Sequence, residues 1–423
     1  MCPPPDRLAA ISEHATLIPA AGSGVDDPPT HSLAPDEARI IGLGEATHGT
    51  RECFRHKARL IKTLVAEHGY RTVAFEADAA AATALDSFVR DFGSNAPASA
   101  LADLEMWQWQ TESVGKLLAW LRTFNDERSS SDRVRIRGVD LSTPSAPAAP
   151  LRPYFEAVDH RILDSEALRT VADATVPDGP HERAQALDAV AAAAETLTDH
   201  VAATRDNAET TSTPVSWETA RHLCRVVEQA CEWARVRHEQ PGPHEAGMAA
   251  RDRFMAENAR WTLAQDAGAG VALWAHDGHV QRGTFDDGTP WADATTMGER
   301  LDRELGDDYR PVGFDFARGS FRAAGAGSGE VETFSVGTPI EESASATFAA
   351  VDGAPYLLDL RAAAVDGRLE PWLATERRTR YVGSVFDPKA DAEEGYARTN
   401  LPASFDHLLF LPASTAARPI DGG

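Results

Sequence analysis

Cysteine is scarce: Cys2, Cys53, Cys224 and Cys231 are the only four in 423 residues. That is too few for a disulfide scaffold, and no CxxC pair exists to hold a metal. Lysine is scarce as well. Among 41 Lys and Arg, only Lys57, Lys62, Lys116 and Lys389 are lysine. No stretch approaches the roughly 18 consecutive apolar residues of a membrane-spanning helix. The opening MCPPPDRLAAISEH has no basic patch followed by an apolar run, so no secretory signal is expected there. No G-x-S-x-G elbow and no P-loop occur, which sets aside an elbow serine nucleophile and nucleotide phosphates as the ligand. Gly42-x-Gly44 follows an apolar run, but the third glycine of a dinucleotide fingerprint falls at Thr47, so NAD is not expected either.

Hydrophobic residues make up 43% and charged residues 25%, enough for a sizeable core and too ordered a balance for global disorder. Acids number 65, and the net charge is −24. Such a field repels nucleic acid and anionic membrane surfaces. A high acid load with little lysine is the composition of a protein kept soluble in concentrated salt, where screening weakens self-repulsion. The sequence therefore predicts a halophilic, acidic, cytoplasmic protein.

The length suits two or three domain equivalents, or one large α/β domain with an insertion. Arg39–Gly44 reads as a buried strand, followed by a turn and a helix over about 51–68 that Gly69 closes. Phe54, Ala58, Ile61 and Val65 lie on its apolar face. Arg71–Glu76 is a second strand, so the β-helix-β order implies a parallel pair. Helices over about 79–92, ended at Asn95-Ala96-Pro97, and about 111–127 precede a third strand at Arg133–Val139. Thr143–Pro153, with its prolines and alanines, reads as a linker. Residues 153 to about 262 lack strands and read as several helices, broken near Pro177–Pro180, Thr210–Pro214 and Pro241–Pro243. Strands resume at Gly270–Ala275, Tyr309–Phe316, Tyr356–Leu360 and His407–Leu411, with Ala323–Gly329 as a loop. The expected fold is α/β, a central mostly parallel sheet flanked by helices with an inserted helical subdomain. The expected division is 1–145 and 266–423 for the two halves of the core and 146–265 for the insertion.

Three predicted strands end in titratable residues: Glu45 and His48, Glu76 and Asp78, and His276-Asp277-Gly278-His279. In open parallel sheets ligands bind beyond the carboxyl ends of the strands, so these turns converge on one edge. Imidazoles beside carboxylates suit general acid/base work near neutral pH. A carboxylate on one ring nitrogen fixes the tautomer and raises the basicity of the other. Structural readings stand beside these. His48 also fits a helix cap with Gly49 serving the turn, Asp78 an N-cap, one of His276 and His279 a satisfied core histidine, and Trp107 and Trp109 packing. Cys53 fits packing in the first helical turn, and nothing marks Ser142 as activated. Glu76 is harder to explain structurally, because a buried carboxylate without partners costs several kcal/mol. Glu45-x-x-His48 and His276-x-x-His279 resemble metal-ligand pairs, but they sit on turns and do not form HExxH. An activated water remains the candidate nucleophile.

The segments GLGEATHGTRECFRHKARLIKTLV, VAFEAD and WAHDGHV resemble the erythromycin esterase family. WQWQTESVGKLLAWLRTFN, RGVDLS, RDRFMAENARW, GSVFDP and FDHLLFLPAS are similar to it in the same order, over most of residues 39–415. The resemblance implies a carboxylic ester hydrolase that opens a macrocyclic lactone with water, with macrolide antibiotic resistance as its role. It implies His48 as general base, Glu45 and Glu76 as orienting carboxylates, and His276 as a second essential imidazole. It places His279 and Arg251 in the substrate pocket, Arg251 as an oxyanion or carboxylate partner. It implies no cofactor and no metal, although Asp277 replaces the usual asparagine and adds a carboxylate that favours one. The partner is then a small-molecule ester or lactone, with no nucleic acid and no membrane. A metal-dependent hydrolase of another bond and a non-catalytic ligand-binding homologue are the alternatives. Four titratable groups in one pocket are more than binding alone needs.

The charge reading is testable on its own. The thermal midpoint should rise from dilute buffer to molar salt, because screening removes self-repulsion in the folded chain. A midpoint that falls steadily with salt would remove the salt-adapted interpretation.

Overall fold

The computed structural model describes residues 3–18, 38–92, 96–102, 104, 106–239, 244–265, 268–286, 291–353, 355–390 and 395–420. The strands in chain order are β1 (Ala15–Leu17), β2 (Ile40–Leu43), β3 (Thr72–Asp78), β4 (Arg135–Asp140), β5 (Val271–Trp274), β6 (Tyr309–Phe316) and β7 (Gly319–Gly325). They continue with β8 (Val331–Val336), β9 (Tyr356–Asp359), β10 (Arg377–Arg380), β11 (Val385–Phe386), β12 (Tyr396–Thr399) and β13 (His407–Leu411). Eight of them belong to a mostly parallel sheet flanked by helices, the α/β class expected. The chain divides into two compact units. One comprises Met1–Val73, Met106–Leu117 and Arg260–Gly422, the other Ala74–Glu105 and Leu118–Ala259.

In the first unit six sheet strands run in the order β1-β9-β13-β6-β2-β5. β1 and β13 are antiparallel to β9, whereas β13, β6, β2 and β5 are parallel to one another. β2 (IIGL) and β5 (VALW) are buried along their whole length, as expected of parallel strands covered on both faces. Their register pairs Leu43 with Trp274, and Leu43 also faces Val312 of β6. The ladder then runs past the strand ends. The Gly44 N–H donates to the Val312 carbonyl, Ala275 N–H to Leu43, and Asp277 N–H to Glu45. Register therefore delivers the chain after β2 and the chain after β5 side by side.

Helix Arg51–Glu67 follows the first of these turns, with Phe54, Ala58, Ile61 and Val65 buried as its spacing predicts. Gly69 ends it at φ +74°, a conformation that costs a side-chain-bearing residue about 1–2 kcal/mol. β6 and β13 carry their predicted bounds. Ala323–Gly329 is not simply a loop. Gly319–Gly325 pairs antiparallel with β8 and parallel with β11 in a small three-stranded sheet. Phe321, Phe334 and Phe386 pack together across it, supplying the apolar surface that the glycines lack.

In the second unit, with β4 and most of β3, the described residues from 148 to 259 form helices and no strand, interrupted at 173–179 and 211–216, where two of the predicted breaks fall. The predicted linker Thr143–Pro153 overlaps helix Ala148–Val158, which carries Pro153 inside it. Leu151, Tyr154, Phe155 and Val158 are all buried at helical spacing, and that burial outweighs the hydrogen bond the proline forfeits. Their core includes Leu187, Leu197, Leu223 and Val227 from helices Pro180–Ala203 and Trp217–Glu239. The predicted breaks at Asn95 and at Pro241–Pro243 lie outside the described residues.

Asp315 on β6 is fully buried and accepts hydrogen bonds from Phe316 N–H at 2.7 Å and Ser345 Oγ–H at 2.7 Å. Burial pushes its carboxyl up to about 7. The unfolded chain ionises this group near pH 4. The unfolded state therefore sheds the proton first, and stability falls as pH rises from about 4 to about 7. Asp315→Asn should flatten that decline when thermal midpoints are compared across the window. A variant that loses as much stability as the wild type would refute the assignment.

Candidate active site

The first unit builds its cluster from the turn after β2, the helix that follows it and the turn after β5. Glu45 is completely buried and His48 is 6% exposed. His48 Nδ1 lies 2.7 Å from Glu45 Oε1. Lys57 Nζ, fully buried on the helix, donates to Glu45 Oε2 at 2.7 Å and to the Ala275 carbonyl at 3.1 Å. Trp274 Nε1–H donates to the same Oε2 at 2.9 Å. An ionised carboxylate only accepts, so Nδ1 of His48 carries a proton, and in the neutral ring Nε2 holds the lone pair. Nε2 has no protein hydrogen-bond partner among the described residues.

Burial is the largest single influence on Glu45 and opposes its ionisation. The Lys57 charge and the His48 hydrogen bond together outweigh it and hold the carboxyl below its ordinary range. Burial pushes the Cys53 thiol up, so it packs and does not attack.

Two glycines shape the turn by steric need. A Cβ on Gly44 would stand 1.8 Å from Asp277 Oδ1. One on Gly49 would stand 1.9 Å from the Arg322 carbonyl, because β7 crosses the turn backbone to backbone. Arg322 N–H and Ala417 N–H both donate to the Gly49 carbonyl, and Val382 N–H donates to Ala46.

His276 stands beside His48, their ring centroids 4.8 Å apart. Gly278 N–H donates to its Nδ1 at 3.1 Å, so Nε2 carries the proton and donates to the Val382 carbonyl at 3.2 Å. Its ring also meets Tyr381 edge-on at 4.7 Å. His279 is buried with its ring against Phe285. Both Asp277 oxygens accept from Phe314 N–H, and burial pushes its carboxyl well up. Among the described residues no three His, Cys, Asp or Glu side chains gather as metal ligands.

Glu76 and Arg251 belong to the second unit. Arg251 Nη2 donates to Glu76 Oε1 at 3.0 Å and to Asp140 Oδ2 at 2.5 Å, and its Nε donates to Asp140 Oδ1 at 3.0 Å. Arg251 is thus a carboxylate partner here, and Glu76 shares its guanidinium with the end of β4. Asp78 accepts from Ala81 N–H at 2.8 Å in the turn before helix Ala82–Val89, whose N-cap is Ala81 and not Asp78 as its position suggested, and also from Ser142 Oγ–H at 2.7 Å.

Lys57 and Trp274 complete the site; both stand within segments that resemble the family, yet the sequence assigned neither a role. Lys57 had a signal: it falls three residues after Phe54 and four before Ile61, on the buried stripe of its helix. A lysine at such a position, in a chain with so few, marks a buried partner.

A family model described as erythromycin esterase matches residues 65–414. Erythromycin esterase type II of Escherichia coli is 22% identical over 309 residues, 66% of this chain and 68% of that protein. Erythromycin esterase type I of Escherichia coli is 30% identical over 127 residues, 29% of this chain and 30% of that protein. Among solved structures, a Bacillus cereus protein superposes with a TM-score of 0.81 at 20% identity, covering 99% of this chain and 100% of that one. A succinoglycan biosynthesis protein gives 0.79 at 19%, with 98% of both chains covered. An erythromycin esterase mutant in its open conformation gives 0.63 at 18%, with 92% and 93% covered.

Arg251→Met removes the guanidinium that Glu76 and Asp140 share. Breaking such a buried pair costs about 3–5 kcal/mol, and the loss should shrink at acid pH as the carboxyls protonate. Denaturant unfolding at neutral and acid pH measures both. A loss below about 1 kcal/mol at neutral pH would place this trio among pairs of surface strength.

Proposed function

The chain belongs to the erythromycin esterase family, and from that premise we propose that it hydrolyses carboxylic esters of the macrolactone kind with a water activated by His48. The observation that carries this reading is the His48–Glu45 contact of 2.7 Å, which leaves Nε2 as the basic nitrogen. Glu45 fixes the tautomer and stabilises the imidazolium that forms.

In the reaction, water oxygen bonds to the ester carbonyl carbon while its proton passes to His48 Nε2. The carbonyl electrons move to oxygen. His276 exchanges its 3.2 Å bond to the Val382 carbonyl for that oxyanion and donates Nε2–H to it. Collapse breaks the bond to the alcohol oxygen, which takes the proton back from His48. His279 lines the pocket wall with Phe285, and Arg251 holds the Glu76 carboxyl in place at 3.0 Å. No metal enters any step. Resistance to macrolides is the physiological role this chemistry supports, since the curated relatives are esterases of erythromycin by name.

A panel of macrolides and simpler lactones, assayed in molar salt, tests the proposal. Removing a general base costs about 10²–10⁴ in rate. His48→Ala should lose at least that order in kcat while its thermal unfolding shows a folded protein. Near-normal turnover by the folded variant would refute His48 as base, and no turnover of any ester by the wild type would refute the hydrolase.

A further inference from the structure

We propose that Lys57 is a positioning residue of this site: its buried ammonium keeps Glu45 ionised, and that charge in turn sets the tautomer and proton affinity of His48. The inference rests on the reading of His48 as base. It names a residue that acts on the reaction without touching substrate.

The geometry carries it. Lys57 Nζ reaches Glu45 Oε2 at 2.7 Å, and neither side chain has any exposure. The ammonium lies 4.9 Å from the Trp274 ring and 5.6 Å from the Phe314 ring, a cation held among aromatic faces. A buried carboxylate so placed stays charged only with a partner. Its other donors, Trp274 Nε1–H and His48 Nδ1–H, belong to neutral groups while His48 is the free base. Among the described residues, the other titratable groups against this pair are Cys53 on the same helix, His276 beside His48, and Asp277 with Asp315 behind it. Cys53 is held as a thiol, and burial favours the neutral form of both aspartates. Lys57 is therefore the one fixed cation acting on Glu45 among these groups.

The sign follows directly. Removing a positive charge raises the proton affinity of the Glu45–His48 pair as a unit, wherever in the pair the proton settles. The base-competent form, with Glu45 ionised and His48 neutral, then appears only at higher pH.

Two measurements test this. The first is the pH profile of kcat/KM for the best ester of the panel, in wild type, Lys57→Met and Lys57→Gln. The acid limb should move up by at least one pH unit, so that kcat/KM falls at least tenfold at pH values below the wild-type limb and recovers on the alkaline side. The second uses no catalysis: imidazole nitrogen NMR of His48, assigned by loss of its signals in His48→Gln. In the wild type it should show Nδ1 protonated and Nε2 unprotonated near neutral pH. In the Lys57 variants the titration midpoint should rise.

An unchanged acid limb and midpoint in a folded Lys57 variant would overturn the proposal. So would an Nε2-protonated His48 in the wild type, which needs no variant to fold. If the NMR behaves as expected and the wild type cleaves no ester, the positioning role stands and the esterase reading falls.

Discussion

A buried ammonium facing a buried carboxylate organises the first unit. Lys57 and Glu45 meet with no solvent between them, and neither ion is tolerable there alone. Their pairing fixes where the turn after β2 sits on the following helix. It also spends one oxygen of Glu45 on Lys57 and Trp274, leaving the other for His48. The position of one imidazole thus traces back to a cation one helical turn inside the fold. The second unit repeats the logic with arginine. Arg251 gathers Glu76 and Asp140 from β3 and β4, and Arg135 and Arg137 of β4 gather Asp86 of helix Ala82–Val89.

Much of this was legible in the sequence. Continuous apolar runs with a titratable residue at the end marked β2, β3 and β5, and their parallel register is what sets Glu45, His48 and His276 together. The family resemblance added roles to those positions. Three features escaped for identifiable reasons. Lys57 was hidden because basic residues read as solvated, and only the phase of its helix betrays it. β7 was partly hidden by glycines that read as a loop, since its pairing with β8 and β11 is tertiary information. The helix through Pro153 was hidden because its stability comes from Leu151, Tyr154, Phe155 and Val158 packing inward, against its own local preference.

The two histidines are differently engaged, and that difference suits different work. His48 has one nitrogen anchored and one presented. His276 has one nitrogen accepting from Gly278 and the other donating to a carbonyl. A ring of the first kind exchanges protons without disturbing its anchor. A ring of the second kind donates at fixed geometry, and protonating its Nδ1 would break the cap that holds the short turn at Asp277–Val280. A backbone N–H therefore fixes the orientation of His276 and claims its Nδ1.

Gly44 and Gly49 bracket the His48 turn, each pressed against an atom that leaves no room for a methyl group. The turn is thus closed to mutational drift at both ends. Any lineage of this scaffold that diverges must do so through other loops, with the backbone path between these two glycines inherited unchanged.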